Sequence, residues 1–150
     1  TNSNCIVVPN FSISAILLMH LSEIATPYFS TIEIIEFHHN NKIDAPSGTA
    51  LATAEKISQN MTEDLRDPTT DLALEGARGA KAQGNIPIHS VRMEGMLAHQ
   101  EVIFGTTGQT LTIRQDSSDR SSFMPGVLLA IKGVPNLTGV NIGLETLMDV

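Results

Sequence analysis

Tryptophan is missing from this chain, and one tyrosine and five phenylalanines bring the aromatic share to only 4%. A core assembled without large rings must be mainly aliphatic. Cysteine is nearly missing as well. Cys5 stands alone, which excludes an internal disulfide framework and makes a reducing cytoplasm the expected compartment. No apolar run approaches the roughly 20 residues of a membrane-spanning helix, and no signal-peptide pattern is visible. Positive charge is scarce: nine Lys and Arg against sixteen Asp and Glu give a net charge of −7. That balance argues against nucleic acid or an anionic membrane as partner. An anionic small molecule is not excluded, because its binding depends on the local field. A strand followed by GxGxxG is also missing, so no dinucleotide-binding βαβ unit lies in the sequence. What is present is ample for one domain spanning 1–150, since 41% hydrophobic residues over 150 positions can bury a real core.

The pattern along the chain alternates helix and strand periods without internal repeats. Asn4 to Val8 is a short β-like run, ended by Pro9. Asn10 or Ser12 can cap a helix from about Ile13 to Ala25, with Ile13, Ile16, Leu17, Leu21 and Ile24 on one face and Pro27 as its stop. Thr31 to Phe37 reads as a strand, and Ser47 to Met61 as a helix burying Ala50, Leu51, Ala54, Ile57 and Met61. Thr62 to Thr70 is a surface loop; with Glu75 to Asn85 it continues as an irregular stretch that could close over a site. Three strands follow, Ile86 to Met93, Gln100 to Gly105 and Thr110 to Arg114, the last two joined through Gly105–Gly108. Asp116 to Arg120 is a turn. Ser121 to Val134 is a helix with Pro125 in its first turn and Val127, Leu128, Leu129 and Ile131 buried, and Gly139 to Val150 is a last turn or helix. The expected fold is α+β: a mixed sheet of about four strands with helices on one side.

One stretch concentrates the chemistry: Glu36-Phe37-His38-His39-Asn40-Asn41-Lys42-Ile43-Asp44-Ala45-Pro46-Ser47-Gly48-Thr49-Ala50. It runs from a strand end, through a loop with two imidazoles and an ammonium, into a helix start. Asp44 or Ser47 can cap that helix, and Pro46 suits its first turn. The N–H groups of Ser47, Gly48 and Thr49 would then face outward as an anion cradle, and Gly48 keeps no side chain in the way. Adjacent His38 and His39 on a regular strand point to opposite sides, which counts against a metal site, and none is expected. His89, Arg92 and His99 are scattered strand residues to which no chemistry is assigned.

This run resembles the signature of the dihydrodipicolinate (4-hydroxy-tetrahydrodipicolinate) reductase family. Each of Glu36, His38, His39, Lys42, Asp44, Ala45, Pro46, Ser47, Gly48, Thr49 and Ala50 fits the family's pattern. The likeness extends to Pro9-Asn10-Phe11-Ser12, to Ser118-Asp119-Arg120, and to Phe123 and Gly126. Met124-Pro125 departs from it and adjusts a helix start. The resemblance implies the family's C-terminal, substrate-binding and tetramerisation domain, in an NADH- or NADPH-dependent reduction of a cyclic dicarboxylate imine. It implies His38 as proton donor assisted by Lys42. It also implies that His39, Lys42, Gly48, Thr49 and Arg120 hold the carboxylates, and that Val8, Pro9, Asn10 and Phe11 touch the cofactor at a hinge. Glu36 and Asp44 would support or cap. The nucleotide domain would precede this chain, so that a fragment or truncated relative binds the dicarboxylate and forms homotetramers through its sheet without turning over. The alternative is a non-catalytic dicarboxylate-binding or assembly module.

Overall fold

The computed structural model describes residues 3–148 and 150. In chain order its elements are β1 (Cys5–Val7), α1 (Ile13–Ala25), β2 (Thr31–His38), α2 (Gly48–Gln59), β3 (Ala80–Lys81) and β4 (Pro87–Arg92), then β5 (Ala98–Thr106), β6 (Gln109–Ser117), α3 (Met124–Gly133) and β7 (Val140–Ile142). The main sheet is mixed, in the order β3-β4-β2-β5-β6. β2 lies at its centre, parallel to β4 and antiparallel to β5. The fold is α+β as expected, with the two-residue β3 added at one edge.

Alternation along β2 decides what faces the helices. Ile32, Ile34 and Glu36 are buried on one side. Ile32 and Ile34 meet Val102 and Phe104 of β5 under α1 and α2, with Leu18, Ala50, Ala54 and Ile57 completing the core, while Glu36 lies opposite Gln100. Ile35, Phe37, Val91 and Ile103 are half-buried and lie on the opposite face by the pleat. In α2 the expected face holds for Ala50, Ala54 and Ile57, but Leu51 is exposed and the helix closes at Gln59. Pro46 precedes the N-cap Ser47 rather than entering the first turn, and its peptide bond to Ala45 is cis.

Two helical expectations fail for a common reason, that more than one face of the segment is apolar and the partner decides, and a third fails through a long-range strand pairing. α1 buries Ala15, Ile16, Leu18, Ser22 and Ala25, leaving Leu21 and Ile24 exposed; its small residues let the helix approach the sheet closely. α3 likewise buries Gly126 and Ala130 while Leu128 and Ile131 stay exposed, and a 3₁₀ turn over Arg120–Phe123 precedes it. Gly139 to Val150, expected as a turn or helix, instead contributes β7, parallel to β1 in a separate two-stranded sheet, followed by a 3₁₀ turn at Leu144–Leu147. Asp149 of that stretch lies outside the described residues. β5 and β6 also run past the expected strands, and Asp116 and Ser117 belong to β6 rather than to a turn.

The loop from Thr62 to Ala80 is tied to the sheet. Arg78 bonds Glu33 at 2.5 Å, Lys81 bonds Asp67 at 2.5 Å, and the Leu65 N–H donates to the Gly84 carbonyl at 2.9 Å.

α3 reaches the segment before α1 through Gly126. A Cβ added there would sit 2.0 Å from the Phe11 carbonyl oxygen. Gly126→Ala must therefore push the Pro9–Phe11 segment aside, and we expect a loss of about 1–3 kcal/mol. Urea denaturation of the variant measures it.

Candidate active site

The inner ends of β2, β5 and β6 meet the N-termini of α1 and α2 around a cavity of about 350 Å³. Pro9, Asn10, Phe11 and Ser12 form one wall, and His38, Ser47 and Thr49 another. Gln100 and Gln115 from the sheet line it, with Ser117 and Phe123, and His99 borders it. The walls are joined, since the Asn10 amide donates to Thr49 Oγ1 at 3.3 Å. Ser14 donates to Gln115 Oε1 at 3.1 Å, fixing α1 to β6. Gln100 donates to Thr53 Oγ1 at 2.7 Å, fixing α2 to β5.

Helix α2 begins as its sequence directs. Ser47 is extended and its hydroxyl accepts from the Ala50 N–H at 3.2 Å. The Gly48 and Thr49 N–H groups have no carbonyl one turn back within the helix and are open to a ligand. A Cβ added to Gly48 would meet nothing within 4 Å, so no neighbouring group crowds this exposed residue, which itself lies outside the cavity lining. The Ser47 N–H departs from the expected cradle, because it donates to Glu36 Oε1 at 3.2 Å.

Glu36 is the hub. Its carboxylate is fully buried and accepts from both Arg92 terminal nitrogens at 2.8 Å. It also contacts His38 Nδ1 at 2.5 Å. Burial works to raise the Glu36 pKa, but the Arg92, Ser90 and His38 contacts outweigh it and hold the group below its ordinary value. For His38 the order is reversed. Burial lowers its pKa, Lys42 and Arg92 add to that, and Glu36 only partly opposes them.

Of the residues singled out in the sequence, His38, Thr49, Pro9, Asn10 and Phe11 come together on the cavity wall. Val8 does not; it packs in the small second core with Ile16, Ala130 and Leu144. Lys42 lies in the loop between β2 and α2, bonded to both Asp44 oxygens at 2.7 and 2.8 Å. His39 opens that loop and accepts the Lys42 N–H through its carbonyl at 3.1 Å. Arg120 is exposed at the start of the turn whose other end, Phe123, lines the cavity. None of residues 62–85 lines it, so the irregular loop does not close over the site. The sequence reading missed Arg92, to which it gave no chemistry. Its only signal is the register of β2 and β4, which sets Arg92 beside His38. Among the described residues, no three His, Cys, Asp or Glu side chains gather as a metal-binding group, and no helix is long and apolar enough to cross a membrane.

The sequence model of the family described as "Dihydrodipicolinate reductase, C-terminus" matches residues 14–150. The chain belongs to this family. Curated relatives named 4-hydroxy-tetrahydrodipicolinate reductase agree. That of Corynebacterium urealyticum is 53% identical over 97% of this chain and 59% of its own length. That of Mycolicibacterium smegmatis is 51% identical over 99% of this chain and 60% of its own. The chain thus spans about three-fifths of the length of these dihydrodipicolinate reductases. A solved dipicolinate-bound dihydrodipicolinate reductase from Paenisporosarcina sp. TG-14 is 48% identical and superposes with a TM-score of 0.87, covering 96% of this chain and 54% of that one.

Proposed function

We propose that this chain is the substrate-binding and proton-donating half of an NAD(P)H-dependent reductase acting on a cyclic dicarboxylate imine in lysine and diaminopimelate biosynthesis. The observation that carries the reading is one cavity where an open helix N-terminus, His38 and the Pro9–Phe11 segment converge. The solved relative's bound dipicolinate supports a planar dicarboxylate as the ligand class. One carboxylate would lie against the Gly48 and Thr49 N–H groups with Lys42, and His39 and Arg120 would hold the acid groups with them. The Lys42–Asp44 pair has Asp44 largely in solvent, so exchanging that partner for a substrate carboxylate costs little.

Reduced nicotinamide, NADH or NADPH, supplies the hydride. Phe11 and Pro9 offer it an apolar wall and Asn10 a polar group beside His38, a set that fits a flat amide-bearing ring. Val8 belongs to the same segment but supports it from the core. Most of the nucleotide would be held by the part of the relatives' length that this chain does not span. His38 then places a proton on the carbon left electron-rich by hydride addition, with Lys42 assisting. The helix-free sheet face, with Ile35, Phe37, Val91 and Ile103 half-buried, suits assembly into a homotetramer.

Calorimetric titration of this chain with pyridine-2,6-dicarboxylate tests the site. We expect binding that weakens about 10-fold or more in Lys42→Ala and again in Arg120→Ala, the loss of one charge-assisted contact each. Unchanged affinity in both variants would reject the assignment of the carboxylate holders. Binding without turnover once the nucleotide-binding half is attached would favour a non-catalytic module.

A further inference from the structure

Glu36 is an acid held where burial alone would neutralise it. It accepts two N–H groups from Arg92 and one from Ser47, and a carboxylate so engaged is ionised and acceptor-only. The 2.5 Å contact with His38 Nδ1 therefore requires the imidazole to donate. We propose that Glu36, clamped by Arg92, is a positioning residue that fixes neutral His38 with its proton on Nδ1 and commits Nε2 to the cavity. This rests on the reductase reading, in which His38 is the proton donor, and deepens it.

The arrangement does more than orient one ring. Arg92 also donates to the Asp44 carbonyl at 2.7 Å and the Val91 carbonyl at 2.9 Å, tying β4 to the loop before α2. Glu36 holds the N-cap residue through the Ser47 N–H. A single buried carboxylate thus sets the ring, the loop and the helix start in one frame. In the proton step the Nε2–H bond of the imidazolium breaks, its electron pair stays on Nε2, and a C–H bond forms on the substrate. The ring is left neutral with its proton still on Nδ1, Glu36 remains a carboxylate, and solvent restores the proton to Nε2. Free imidazole has no such constraint; here the acceptor decides which nitrogen reacts. The charged groups facing the ring are Glu36 from β2, Arg92 from β4 and Lys42 from the following loop, and His99 of β5 borders the same cavity.

Long-range proton–nitrogen correlation spectra of this chain, with nitrogen-15 histidine, read the tautomer directly; His38→Gln assigns the signal. At mildly alkaline pH we expect the Nδ1–H pattern for His38. In Glu36→Gln, Arg92 takes the amide oxygen and the amide N–H₂ faces the ring, so the proton should move to Nε2 and the titration midpoint should fall. An Nε2–H ring in the unaltered chain overturns the proposal. So does an unchanged tautomer in a folded Glu36→Gln. Because the unaltered chain carries the first readout, loss of folding in the variant does not remove the test. With the nucleotide-binding half attached, Glu36→Gln should lower kcat about tenfold or more with little change in KM, and Glu36→Asp should recover part of it. If the Nδ1–H pattern holds but no dicarboxylate binds, the reductase reading fails and the tautomer assignment stands.

Discussion

Arg92→Ala is expected to destabilise this chain by about 3–5 kcal/mol, a large fraction of the ordinary stability of a domain. The cost comes less from the lost attraction than from what is left behind. Glu36 has no exposed surface, and without Arg92 it keeps only the His38 ring, the Ser47 N–H and the Ser90 hydroxyl as partners. Replacing both members, as in Glu36→Gln with Arg92→Met, should cost less than the single change, because no uncompensated charge remains. The pH dependence has a definite sign. Glu36 is held below its ordinary pKa, so its stabilisation is present above the unfolded carboxyl pKa and is lost as pH falls through the folded value. In Arg92→Ala burial dominates and raises that pKa. The gap between variant and parent should therefore be widest at neutral pH and narrow in acid. Urea denaturation of both proteins at neutral pH and near pH 4 measures it. A gap that stays constant would mean that Arg92 acts through packing alone.

The contrast between Arg92 and Ser47 explains what the sequence discloses. Ser47 caps α2 with a bond three residues away, and such local chemistry is visible in the order of residues. The strand–loop–helix core of the site, from Glu36 to Ala50, was legible for that reason. Arg92 meets Glu36 across 56 residues, through a parallel pairing that no local pattern announces. The same distinction governs the fold. β2 and α2 could be placed from their periods, whereas β7 becomes a strand only because β1, at the other end of the chain, lies beside it. In α1 the periodicity was present on two faces, and close approach to the sheet selected the one with Ala15, Ser22 and Ala25. Arg120 was reachable only by resemblance. In the structure it stands at the opposite end of a short turn from the cavity-lining Phe123, so its side chain must swing inward to meet a ligand.

His38→Gln should separate chemistry from binding. With the nucleotide-binding half attached, we expect kcat to fall about 100- to 10,000-fold, the usual worth of a positioned proton donor. KM should change little, because the proposed function gives the carboxylates to other groups. The pH behaviour carries the sharper test. Burial, reinforced by Lys42 and Arg92, holds the His38 pKa below its ordinary value, so the unliganded ring is neutral at neutral pH. A bound dianion beside it favours the imidazolium. Binding of the dicarboxylate should therefore take up a proton, and apparent affinity should rise as pH falls toward the lowered pKa of the free ring. Titrations in buffers of different ionisation enthalpy count that proton. In His38→Gln both the uptake and the alkaline fall of the rate should vanish, since glutamine has no proton to gain or lose. If the variant kept the parent's pH–rate profile, the donor would have to be sought elsewhere. Lys42, which starts with its charge directed at Asp44, would be the next group to replace.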